Sequence, residues 1–272
     1  CCADRLEAMR IARFAGDDDP RFGVIGDDNG VPTIAVLNGD PLYAGLILSG
    51  QKIPLADVRL LAPVIPRSKV ACIGKNYVAH AAEMGGDVPD EPLVFLKPNT
   101  SVIGPGEPIF YPDQSSNVHY EGELAVVIGR ICRDISAEDA SKVIFGYTVA
   151  NDVTARDLQA KDGQWARAKG FDTFCPLGPW IETDFDPSDV AVTTRLGGDV
   201  TQDGRTSDMV FKVPDIVAYI SSFMTLLPGD VILTGTPDGV GPMEVGDEVS
   251  VTIEGIGTLT NSVVSRDAVA DV

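Results

Sequence analysis

The stretch His119-Tyr120-Glu121-Gly122-Glu123-Leu124-Ala125-Val126-Val127-Ile128 decides how the rest of the chain is understood. Its second half is aliphatic at every position, the pattern of a strand covered on both faces of a sheet. In such a strand Glu121 and Glu123 point to one side, about 6.5 to 7 Å apart along the chain. Alone, a Glu-x-Glu pair reads as a solvated face; leading into an interior strand, two unpaired carboxylates would be expensive. A third acid, Asp152, closes a second apolar run, Gly146-Tyr147-Thr148-Val149-Ala150-Asn151-Asp152, at a predicted strand-to-helix junction. Three hard oxygen donors without cysteine or histidine favour Mg2+ or Mn2+, with water and substrate in the remaining octahedral positions. The dense aspartate loop of an EF-hand is absent, which disfavours Ca2+.

Outward from these two runs lie further β-branched segments at Val70–Ile73, Leu93–Leu96, Val190–Leu196, Val231–Thr234 and Val249–Ile253. Helices are few: residues 76–84, a segment starting at Ser136 with a Ser-x-x-Asp pattern to Asp139, one near Thr154–Gly163, and one over Val213–Met224. Strand and helix do not alternate regularly and no Gly-x-Gly-x-x-Gly leads from a strand into a helix, which argues against a dinucleotide-binding sheet. The fold class is therefore α+β and β-rich. Residues 9–60 are Gly/Asp-rich with apolar bursts at Ile11–Phe14, Phe22–Ile25 and Ile34–Leu37, a small N-terminal β domain of short strands and tight turns. Residues 61–272 form the main domain, reached through a proline-bounded connector, Pro54 to Pro63. Met9 reads as the natural start, and residues 1–8, with neither basic nor apolar leader character, are set aside.

The 272 residues carry 40 acidic against 21 basic side chains, a formal charge of −19. Such a surface repels phosphate backbones, so nucleic acid and anionic membranes are poor partners and divalent cations good ones. No apolar run approaches the roughly 20 residues of a membrane-spanning helix. Two histidines, His80 and His119, rule out a zinc site built mainly from imidazoles. Cys72, Cys132 and Cys175 lie far apart with no Cys-x-x-Cys pair, which reads as reduced thiols of a cytoplasmic protein.

In Gly74-Lys75-Asn76-Tyr77-Val78-Ala79-His80-Ala81-Ala82-Glu83, a helix would set Glu83 beside His80 at i, i+3. The carboxylate would fix the imidazole tautomer and raise its basicity, as a general base requires; the plainer alternative is a surface His/Glu pair. Gly85-Gly86 and the proline-bracketed Asp87–Glu91 predict a mobile loop, beside which that helix would act as a lid.

Together these segments resemble the fumarylacetoacetate hydrolase family. The resemblance runs from about Leu55 to Val264 through six ordered motifs: Ile73-Gly74-Lys75-Asn76-Tyr77 leading to His80 and Glu83, Phe95-Leu96-Lys97-Pro98, His119 to Leu124, Asn151 to Gln159, Lys169-Gly170-Phe171-Asp172, and Thr234 to Pro242. It implies a mixed β-sheet and roll catalytic domain with a smaller N-terminal domain, usually as a homodimer. It further implies Mg2+ or Mn2+ on Glu121, Glu123 and Asp152, a His80/Glu83 dyad on a lid, an active-site lysine at Lys169, and substrate contacts at Arg156, Gln159 and Thr236. Read alone, Arg156 and Gln159 are equally a solvated helix face, Lys169 a surface lysine and Thr236 part of a turn. Lys97 reads as a strand-end lysine that snorkels to water.

The chemistry that follows is metal-dependent C–C cleavage of a small 2-oxo acid, in which the ion accepts the charge of a departing pyruvate enolate. Acylpyruvate hydrolysis would use His80 and Glu83 to activate water, whereas oxaloacetate decarboxylation would need no water attack. Isomerisation or decarboxylation of hydroxylated diene-dioates is the alternative within this chemistry, and a non-catalytic metal or ligand-binding module the alternative outside it.

Overall fold

The computed structural model describes residues 9–266, so the reading of residues 1–8 lies outside the described residues. Its main layer is a sheet whose strand order is Leu48–Pro54, Val31–Leu37, Arg21–Asp28, Arg10–Phe14, Cys175–Glu182, Ile144–Asn151, Gly122–Ile128, Val231–Leu233, Val70–Gly74 and Leu93–Lys97, with two short strands branching off. Gly122–Ile128 is buried at every position, as its unbroken aliphatic sequence requires. On one face, Leu124, Val126 and Ile128 meet Val192, Val251 and Leu259 of the second sheet and Ile216 and Ile220 of the helix Val213–Phe223. On the other, Ala125 and Val127 pack with Cys72, Val231 and Leu233. Glu123 shares this second face by the two-residue period, which turns it away from the second sheet.

The second sheet has five strands, in the order Asp199–Arg205, Ala191–Leu196, Glu248–Ile253, Gly257–Ser265 and Ile109–Tyr111. The chain is thus β-rich with few helices, the fold class expected. The N-terminal segment has a small apolar cluster of its own, Ala12, Phe14, Ile34 and Val36. It does not stand apart: Arg10–Phe14 pairs antiparallel with Cys175–Glu182, Ile11 opposite Ile181, so the main sheet runs on through it.

Two helical expectations change. The segment after Ser136 is a short 3-10 helix, Ala137–Lys142, and Ser136 makes no capping bond; Asp139 binds Lys142 Nζ at 2.5 Å instead. The strand Ile144–Asn151 begins two residues later and bounds the segment on that side. The helix expected near Thr154 begins at Arg156 and ends at Asp162, because Thr154–Ala155 are taken up in a two-stranded pair with Val118–His119. Cys175–Glu182 escaped notice because Pro176, Gly178 and Pro179 disguise a central strand. Among the described residues no helix is long and apolar enough to cross a membrane, and Cys72, Cys132 and Cys175 are buried and unpaired.

Candidate active site

The antiparallel register of the two central strands assembles the acids. Gly122 lies opposite Asn151 and Glu123 opposite Ala150. One residue beyond, the Asp152 N–H donates to the Glu121 carbonyl at 2.8 Å, and the Glu121 N–H donates to the Asn151 side-chain oxygen at 2.9 Å. Residues some 30 apart in sequence therefore end side by side. Carboxylate oxygens of Glu121, Glu123 and Asp152 all lie within 4.8 Å of one another, and the three residues are only 4, 2 and 1 % exposed.

Burial of three carboxylates demands compensation, and three cations supply part of it. Lys169, at the end of the short helix Ala166–Lys169, donates to Glu121 Oε2 and Asp152 Oδ2, both at 2.7 Å. Lys97, at the end of the strand Leu93–Lys97, donates to Asp152 Oδ1 at 2.5 Å and to the Val153 carbonyl at 3.1 Å. Arg156, first residue of its helix, reaches Glu121 Oε1 at 2.5 Å and Gln159 Oε1 at 2.8 Å. Burial alone would raise the Glu121 carboxyl, but Lys169 and Arg156 outweigh it and hold it far below the usual range. Lys169 is pulled down by burial and up more strongly by Asp152 and Glu121, so its ammonium is reinforced.

Glu123 is different. Among the described residues no cationic nitrogen pairs with it, and its one hydrogen bond comes from the Gly235 N–H at 2.6 Å. Burial, with Asp152 and Glu121 beside it, pushes its carboxyl well above the ordinary carboxylate range. The cluster is thus short of positive charge at Glu123, and its exclusively hard oxygen donors fit a small divalent cation.

The other expected pair comes together on the helix Val78–Glu83, where His80 Nδ1 and Glu83 Oε2 are 3.3 Å apart and His80 is 5 % exposed. Glu83 also accepts from the Gly239 N–H at 3.2 and 3.3 Å, which fastens this helix to the Thr234–Pro242 loop. Gly239 has φ +90°, and a Cβ there would stand 2.0 Å from the Thr201 carbonyl, so only glycine presents its N–H in this way. His119 stands apart: its Nε2 contacts Asn117 Oδ1 at 2.9 Å, and burial followed by the charge of Arg156 lowers its pKa to about 4.

A cavity of about 280 Å³ brings most of these groups to one surface: His80, Glu121, Glu123, Arg156, Gln159 and Lys169 line it together with Thr236. Thr236 also has a role within the protein. Its hydroxyl donates to the Gly122 carbonyl at 2.9 Å and accepts from Gln202 Nε2 at 2.7 Å, so it braces the Glu-x-Glu strand. Gln202 was overlooked because it sits in a polar, strand-poor sequence; it also accepts from the Gly122 N–H at 2.9 Å. Lys97 was misjudged. It is 1 % exposed rather than snorkelling, with its ammonium turned inward to Asp152.

Comparisons with known proteins agree with this architecture. The fumarylacetoacetate (FAA) hydrolase C-terminal family pattern matches residues 69–264 and an Rv2993c-like N-terminal pattern matches residues 9–63. A crystal structure described as 5-carboxymethyl-2-hydroxymuconate delta-isomerase from Mycobacterium smegmatis is 54% identical with a TM-score of 0.88, covering 95% of this chain and 100% of that one. The Homo sapiens oxaloacetate tautomerase FAHD2A, mitochondrial, is 46% identical over 224 residues, 78% of this chain and 71% of its own length. Maleylpyruvate hydrolase from Sphingobium sp. SYK-6, crystallised with manganese(II) and pyruvate, is 33% identical with a TM-score of 0.78, covering 94% and 99% of the two chains.

Proposed function

The chain belongs to the fumarylacetoacetate hydrolase family, and on that premise we propose that it is an enzyme that moves a proton at C3 of a small 2-oxo acid held at Glu121, Glu123 and Asp152 with Mg2+ or Mn2+. The observation that carries this reading is the placement of a buried, carboxylate-backed imidazole in the wall of the cavity that Glu121 and Glu123 of the acidic triad also line. Bound at the triad, the ion would polarise the 2-oxo carbonyl and stabilise negative charge on its oxygen.

The chain's own groups do the rest. Glu83 accepts a hydrogen bond from His80 Nδ1–H, which leaves Nε2 as the basic nitrogen. Proton removal from C3 gives an enolate, and His80 then holds the proton for return to oxygen or to another carbon. Lys169 and Arg156 keep Glu121 ionised and fix its orientation. The helix Val78–Glu83, fastened by Glu83 to Gly239, excludes water from the buried side.

Tautomerisation or isomerisation of a 2-oxo acid is the first outcome this supports, consistent with the names of the Homo sapiens and Mycobacterium smegmatis relatives. C–C cleavage, hydrolytic for an acylpyruvate or decarboxylative for oxaloacetate, is the second, which the sequence alone had placed first. It draws support from the hydrolase solved with pyruvate, a cleavage product. His80 is the base on C3 in proton transfer and on water in acylpyruvate hydrolysis, whereas decarboxylation needs no water attack and leaves His80 to return a proton to the enolate. The test is a panel of oxaloacetate, acetylpyruvate and fumarylpyruvate with Mg2+ or Mn2+ in D2O, following C3 deuteration, enol absorbance and pyruvate release. Catalysed deuteration without pyruvate assigns proton transfer, and pyruvate release assigns cleavage. With no catalysed change in any substrate, the proposal falls.

A further inference from the structure

We infer that Lys75 recognises a second carboxylate on the substrate, so that the cavity takes 2-oxo diacids in preference to 2-oxo monoacids. This rests on the 2-oxo acid reading above and adds the substrate's far end to it.

Three long-chain cations line the cavity: Lys75, Arg156 and Lys169. Arg156 is set against Glu121, and Lys169 against Glu121 and Asp152. Lys75 is partly buried, and among the described residues no carboxylate pairs with it and no acceptor takes a hydrogen bond from its ammonium. Apart from the site's own polar groups, the remaining wall is made of side chains such as Ile73, Met84, Phe95 and Trp165, which give an ammonium nothing to bind. A half-buried cation with three unused donors beside an apolar wall is completed by an anion from the ligand.

The backbone is arranged to deliver it. Lys75 has φ +56°, a left-handed conformation that is unfavourable for a residue with a Cβ. Its neighbour imposes this: the Asn76 side chain donates to the Thr234 and Phe211 carbonyls at 2.7 and 3.0 Å and accepts from the Phe211 N–H at 2.8 Å. With Asn76 locked between two distant loops, the chain leaving the strand Val70–Gly74 has to turn at Lys75. The ammonium then runs to the turn after the helix bearing His80 and Glu83, where a Cβ on Gly86 would stand 2.6 Å from Nζ. The missing side chain at Gly86 is the space Lys75 uses.

The test compares ligands that differ only at that far end. Binding to the Mn2+-loaded protein is measured by calorimetry for oxalate, which has no tail, and for 2-oxopentanoate and 2-oxoglutarate, equal in chain length but ending in methyl and carboxylate. The parent protein is expected to favour 2-oxoglutarate over 2-oxopentanoate by tenfold or more. Lys75→Met should erase that preference while leaving oxalate and 2-oxopentanoate within about twofold, and Lys75→Arg should keep most of it. Lys75→Asn is the second neutral variant, since asparagine tolerates the left-handed backbone should Met not fold. Equal binding of the two five-carbon acids by the parent, or a preference that survives the neutral variants, overturns the assignment of Lys75 alone. Binding of none of the three acids takes down the 2-oxo acid reading with it.

Discussion

Lys97→Met offers the sharpest test of how the acidic cluster is held. The ammonium is 1 % exposed, 2.5 Å from Asp152 Oδ1 and 3.1 Å from the Val153 carbonyl. Methionine keeps the length and apolar stem of the side chain and removes the charge. Breaking a buried pair from one side costs about 3–5 kcal/mol, since the remaining charge stays out of water. Asp152 retains Lys169 at 2.7 Å, which places the expected loss at the lower end, about 3 kcal/mol. At roughly 2–4 °C per kcal/mol for a chain of this size, melting should fall by about 6–12 °C. The assay is thermal unfolding by circular dichroism in a chelator, for the parent, Lys97→Met, Asp152→Asn and the double variant. Removing both charges should recover about 1–3 kcal/mol relative to the sum of the singles, the sign of a direct interaction. Added Mn2+ should raise the melting point of Lys97→Met more than that of the parent, because the cluster then lacks one more positive charge. A fall under about 2 °C, with additive singles, would refute the view that Lys97 neutralises Asp152.

His80→Ala should reduce turnover by about 10²–10⁴-fold, the usual contribution of a general base, while calorimetry shows oxalate binding retained with Mn2+; unchanged turnover would put the base elsewhere. Mn2+ at about 100 times its dissociation constant should stabilise the parent by about 2.7 kcal/mol, read as a rise in melting temperature. Glu123→Gln should remove most of that rise yet leave the ion-free melting point intact, because glutamine still accepts from the Gly235 N–H and removes a carboxyl that burial holds against ionisation. In Gln202→Leu the buried Gly122 N–H loses its acceptor and the Thr236 hydroxyl a donor, a cost of about 1–3 kcal/mol for the N–H alone, measured as a lower denaturant midpoint.

The residues most readable from sequence were those whose contacts are local or whose environment follows from periodicity. His80 and Glu83 meet because a helix puts i and i+3 on one face, and Glu121 and Glu123 share a side because strands alternate. The unbroken aliphatic run after Glu123 announced an interior strand, and Gly122–Ile128 is buried throughout. What stayed hidden depends on register and on distant partners. Nothing near Gln202 in sequence shows that it will bond Gly122, 80 positions away. Nor does the turn that Thr236 belongs to show that its hydroxyl will find two partners within the protein, the Gly122 carbonyl and Gln202, which pairing across the sheet supplies. Cys175–Glu182 was masked by its two prolines, of which Pro179 falls where the ladder is irregular.

The placement of the acids also explains why the most buried strand of the sheet begins with its most costly side chains. A catalytic carboxylate on a flexible loop would lose orientation; at the end of a strand covered on both faces, Glu121 and Glu123 are fixed by the same pairing that builds the core. The cost is desolvation, met for Glu121 and Asp152 by lysines and an arginine drawn from three other elements. Each of those cations sits at an element end, Lys97 closing a strand, Lys169 closing a helix and Arg156 opening one, so packing holds the stem while the charged tip reaches inward. Among the residues lining the cavity, Glu123 is the acid left without a cationic partner and Lys75 the cation left without an anion. Both gaps line one cavity. A ligand set of one divalent cation and one substrate bearing a second carboxylate would fill them together, coupling metal affinity to the presence of a diacid through charge alone.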